Sequence, residues 1–179
     1  MRFLRSTMLV ALLLSFAALN ASAQDSKPES KPVQLSLWDP VQIFDKQMAI
    51  HGVRLNILYG VNSDVRGLDV GVVNRVTSSF KGMQWGAVNL VEGDFSGLQD
   101  GFVNISQGQF HGLSWGLYNS SQSFKGVSVG FVNVSDSMEG FTLGLFNMTQ
   151  NLHGLQIGIL NVAQGKDSLP ILPIVNWSF

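Results

Sequence analysis

Seven octets constrain this chain more than anything else in it: GLDVGVVN from Gly67, GMQWGAVN from Gly82, GLQDGFVN from Gly97, GLSWGLYN from Gly112, GVSVGFVN from Gly126, GFTLGLFN from Gly140 and GLQIGILN from Gly154. Each reads Gly, three residues, Gly, two residues, Asn. A looser unit opens at Gly52, and a degenerate one from Leu169 ends in PIVN, with Asn176 in register. From Gly52 to Gly154 the units start 15, 15, 15, 15, 14, 14 and 14 residues apart. A period this regular belongs to repeat architectures, in which each unit buries little alone and is stabilised by stacking on its neighbours. All 19 glycines lie between Gly52 and Gly165, which sets the N-terminal part aside as a different structure.

The repeat fixes more than Gly and Asn. With the first Gly of a unit as position 0, position −2 is large and apolar (Val65, Phe80, Phe95, Phe110, Phe124), and position +2 is polar in every intact unit (Arg54, Asp69, Gln84, Gln99, Ser114, Ser128, Thr142, Gln156). Positions +1, +5 and +6 are apolar almost throughout. Two glycines in eight residues cost a helix about 1 kcal/mol each relative to Ala. The Val, Phe, Trp and Ile between them suit a pleated surface. The chain is therefore expected to be all-β, with polar stretches such as SSQS as turns.

Two all-β architectures accept this pattern. One is a β-solenoid of about nine 14–15-residue coils with an N-terminal cap strand. Equivalent residues then stack about 4.8 Å apart, with Gly at tight bends and a column of Asn hydrogen-bonding along the axis. The apolar positions between Gly and Asn would fill a narrow interior. The other is a ten-stranded antiparallel outer-membrane β-barrel, since the 10 residues from Phe80 to Asn89 match a tilted spanning strand. The barrel would put Asn at opposite rims in successive strands, yet no odd–even alternation of residue type or turn length exists. It would also bring Asp100 near mid-membrane. Pro173 suits a terminal coil better than a paired central strand. The solenoid is the expected fold.

Arg2 and Arg5, the apolar run Met8 to Leu19 and the small-residue site Ala21 to Ala23 read as a signal peptide over residues 1–23. Residues 24–32, with two prolines and no apolar residue, read as a flexible linker. Residues 33–49 read as an N-terminal strand or cap, with Asp39-Pro40 as a turn, and 50–179 as the tandem-repeat β domain. Removing Arg2 and Arg5 from 11 basic residues leaves 9 against 12 acidic ones, a formal charge of −3. No basic face then invites nucleic acid.

The chain has no Cys, which removes disulfides, thiolate metal sites and a cysteine nucleophile. His51, His111 and His153 fall in units too far apart to share a metal. Neither a phosphate-cradling Gly-rich motif nor a nucleophile elbow occurs. No catalytic, cofactor-binding or metal site is expected. Asn104, Asn119, Asn133, Asn147 and Asn176 begin N-x-[ST] sequons, but the repeat itself demands Asn there. Position +3 is where the rule relaxes, and Trp85, Asp100 and Trp115 form the candidate exposed binding face.

The units GMQWGAVN, GLQDGFVN and GLQIGILN, the lead-in from Val33 and the ending LPILPIVNWSF resemble a family of bacterial surface-repeat proteins, exported to the cell envelope, with a G-x-Q-Φ-G-Φ-Φ-N repeat. The resemblance spans Val33 to Phe179 and implies a location rather than a chemistry: the periplasm, outer membrane or cell surface. The expected function is a non-enzymatic structural or binding surface facing envelope components or the outer membrane. The alternative is an integral outer-membrane barrel, a small pore.

Overall fold

The computed structural model of the protein describes residues 30–179. The signal-peptide segment and residues 24–29 of the expected linker lie outside the described residues. The fold is all strand: β1 (Ser30–Trp38), β2 (Val41–Gln42), β3 (Ala49–Asn62), β4 (Val65–Val76), β5 (Phe80–Val91), β6 (Phe95–Asp100), β7 (Val103–Leu143), β8 (Phe146–Ala163) and β9 (Ile171–Ser178). β3 to β8 form one continuous stack in which like pairs with like. Gly67 faces Gly82, Gly82 faces Gly97, and Asn74 faces Asn89, all in parallel. β7 runs through nearly three coils without interruption.

Parallel pairing of sequence neighbours makes this a β-solenoid, and it removes the antiparallel barrel. Each unit turns back under itself and advances one rung, so strands never reverse direction between units. β1 pairs in parallel with β3, with Ser30 opposite Ala49 and Gln34 opposite Arg54. It thus forms the first of about nine turns. It begins at Ser30, three residues before the expected boundary at Val33. Asp39-Pro40 makes the turn into β2, which folds back antiparallel on β1. The degenerate unit after Leu169 is not a further parallel coil. β9 returns antiparallel along β8, with Trp177 opposite Leu155 and Val175 opposite Ile157. Pro173, which has no N–H to donate, sits where that register breaks.

The interior differs from the expected one. Strand alternation turns positions −2, 0, +2 and +4 inward, then +7 and +9 after the corner. Only −2 and part of +9 are apolar. Phe80, Phe95, Phe110 and Phe124 stack ring on ring with centroids 5.0, 4.6 and 4.8 Å apart and planes within 9° of parallel. That spacing is the rung repeat itself. Each buried Phe contributes about 1.5–3 kcal/mol of apolar burial.

The rest of the interior is polar. Every position +2 side chain is buried, from Arg54 to Gln156, as is the Asn column. Positions +1 and +5, expected to fill the core, face outward instead: Met83, Phe102 and Ile159 are all more than half exposed. Glycine at 0 and +4 explains how the walls come close enough. A Cβ on Gly82 would run into the carbonyl of Gly67, and one on Gly86 would meet the Gly71 carbonyl and the Asn74 amide. Gly82 also holds φ at +139°, a region that side chains rarely adopt.

Most of the buried carboxamides bond to one another from coil to coil. The Nδ2 of Asn56 donates to Oδ1 of Asn74, and that pattern continues through Asn89, Asn104, Asn119, Asn133 and Asn147 to Asn161 at 2.7–2.9 Å. This is the expected Asn column, fully formed and buried. A second chain runs along position +2. Gln99 donates to Gln84 at 2.8 Å, and Gln84 donates to Asp69 at 2.9 Å. Arg54 closes it with a bidentate pair to Asp69 at 2.6 and 2.8 Å, both side chains fully buried.

Candidate functional site

The Asn ladder also builds the outer surface. From Asn74 to Asn147, each Nδ2 uses its second hydrogen on a backbone carbonyl of the next coil, at position +3. Asn74 holds the carbonyl of Trp85 at 2.9 Å, Asn89 that of Asp100 at 2.8 Å, and Asn104 that of Trp115 at 2.8 Å. The three residues named from the sequence are therefore brought together. Trp85 stands opposite Asp100, and Asp100 opposite Trp115, on three successive rungs. Trp85 and Trp115 are 63% and 58% exposed.

These residues form one wall of an open groove of about 810 Å³. The wall continues with Val70 before them and with Val129 and Leu143 after them. The facing wall is position +5: Ala87, Phe102, Leu117, Phe131 and Leu145. The floor is the second glycine column, Gly71 to Gly144, where no side chain stands between the walls. Six coils contribute, giving a length of roughly 24 Å at the rung spacing. The +5 wall was missed in the sequence because its apolar side chains read as core. Their parity with the outward position +3, broken only at the corner, was the available signal.

The groove is apolar and its backbone is occupied. Gly101 N–H donates to the Trp115 carbonyl at 3.0 Å, Leu117 N–H to Phe102 at 3.0 Å, and Leu145 N–H to Phe131 at 2.9 Å. Asp100 is the one charged residue in the lining. Its carboxylate makes no hydrogen bond or ion pair among the described residues, whereas Asp64, Asp69, Glu92 and Glu139 all have partners. The Lys125 ammonium, 2.6 Å away, holds the Glu139 carboxyl below its usual range, on the polar side of the coil. His111 and His153 flank this pair in the same position −1 column, and His51 sits far along it, 3.2 Å from Asp64. Among the described residues no three His, Asp or Glu side chains group as metal ligands would. The sequon asparagines are all buried, and those of the ladder are committed to its bonds.

No family model, curated protein or solved structure matches the chain.

Proposed function

We propose that this is an exported, non-enzymatic protein of the bacterial cell envelope, and that its solenoid is a scaffold presenting the groove as a binding face toward envelope components or the outer membrane. The signal-peptide pattern and the resemblance to exported surface-repeat proteins support the location. The groove supports the binding role. A continuous apolar channel on the outside of a folded domain marks an interaction site. The repeat meanwhile turns its amides and hydroxyls inward, where the Asn ladder bonds coil to coil, and presents apolar side chains along the groove.

Export is tested by expressing the full chain in a Gram-negative host, separating cytoplasm from envelope, and weighing the intact product. The expected product begins near Gln24 and is recovered outside the cytoplasm. A full-length chain that stays in the cytoplasm would overturn the reading.

A further inference from the structure

Among the described residues the Asp100 carboxylate in the groove has no partner, its surroundings are apolar, and two indoles flank it. We propose that the groove binds a single-chain amphiphile with a trimethylammonium head, held between Trp85 and Trp115 above Asp100, with its alkyl chain laid toward Leu145. This rests on the groove being a binding face and adds what it recognises.

The geometry follows from the register. Trp85, Asp100 and Trp115 occupy the same position on consecutive rungs. The two tryptophans therefore stand two rungs apart, about 9.6 Å, and a cation midway lies about 4.8 Å from each, inside the roughly 6 Å reach of a cation–π contact. Asp100 lies beneath that point and supplies the counter-charge. A half-buried carboxylate without a partner gains most from a cation that leaves water easily. Hard metal ions do not fit this description, because one carboxylate and two indoles cannot replace a shell of six or more oxygens. A primary ammonium would bring N–H donors that find no free acceptor but Asp100, since the neighbouring carbonyls already accept from the ladder. A quaternary ammonium has no donors to satisfy.

The tail follows from the walls. Beyond Trp115 the lining is Leu117, Val129, Phe131, Leu143 and Leu145, without a polar side chain. An extended peptide would need backbone partners there, and the lining N–H groups are already used. An alkyl chain needs none. The formal charge of the processed chain, −3, favours a cationic ligand over an anionic one.

The test is calorimetric titration of the mature chain with dodecyltrimethylammonium, dodecyl sulfate and dodecyl maltoside, each below its micelle concentration. The cationic probe should bind about tenfold tighter than the other two. Asp100→Asn should erase most of that preference, and Trp115→Leu should weaken the cationic probe selectively, with circular dichroism unchanged in both. Equal affinity for all three probes, or an Asp100→Asn variant that keeps the preference, would overturn the cation assignment and leave the groove as an apolar binding face. Binding of none of them would overturn both the assignment and the binding role of the groove.

Discussion

At the scale of single residues, burial depends on whether a polar group finds its counterpart one rung away. Asn at +7 is tolerated inside because neighbouring coils supply matching donors and acceptors, so from Asn74 to Asn147 each amide both gives and takes. Net, such a bond contributes about 0.5–1.5 kcal/mol, but an orphaned partner costs more. The Arg54–Asp69 pair is the sharpest case. Arg54→Met should lower stability by about 3–5 kcal/mol, because Asp69 is then a buried charge without its cation. The double variant Arg54→Gln, Asp69→Gln should recover most of that, since it extends the glutamine chain of Gln84 and Gln99 into the first coils. Urea midpoints of the two variants measure the difference; a double variant as unstable as the single would show that the charge pair itself is required.

At the scale of the element, the Phe stack and the glycine columns set how close the walls stand. Phe95 has a ring above it and a ring below. Phe95→Ala should cost about 3–5 kcal/mol, and it should do so by opening a cavity between two rungs that cannot collapse independently. Thermal unfolding gives the size of the loss. Hydrogen exchange should show it greatest in the coils on either side of Phe95. A variant losing less than about 1 kcal/mol would mean that the rings contribute area but no packing.

The elements also show what the sequence made legible. The period, the strand character and the parallel stack follow from a single position rule repeated in every unit, and so does the Asn column. The inside and outside of each strand did not follow, because hydrophobicity points the wrong way here. Met83, Ala87 and Phe102 look like core, and Gln84 and Asn89 look like surface. Parity carried the answer: Gln84 shares it with the inward Phe80 and Gly82. The candidate face at Trp85, Asp100 and Trp115 was legible as an exception to the rule. Its opposite wall was hidden by obeying the rule. At the C-terminal end, Asn176 kept register while the strand around it ran backward. A single matching residue says nothing about chain direction, whereas the absence of glycines after Gly165 withheld the close backbone approach a further parallel coil needs.

At the scale of the whole molecule, stability is close to a sum over coils and their interfaces. Excising residues 125–138 joins Phe124 to Glu139, removes one complete coil and leaves Asn119 facing Asn147. The shortened chain should fold, with a rod about 4.8 Å shorter. Removing only residues 125–131 should prevent folding, since it sets residues 132–145 half a coil out of register with the coil before them and interrupts the Asn ladder between Asn119 and Asn133. Circular dichroism and small-angle scattering of the two deletions check this. A half-coil deletion that folds as well as the whole-coil one would show that stacking register is not what holds the rod together.

The amide ladder points one way. From Asn56, whose Oδ1 accepts nothing among the described residues, to Asn147, every Nδ2 reaches toward the next coil, and the ladder ends at Asn161, which gives its hydrogens to the carbonyls of Gly158 and Leu172. A coil copied in the gene therefore arrives with its plug and its socket already matched, and can be inserted between any two others in only one orientation. Ordinary tandem duplication or slippage can then lengthen or trim the channel on the outer face in fixed steps, without redesigning an interior. Channel length in such a molecule is an inherited setting, adjustable one notch at a time.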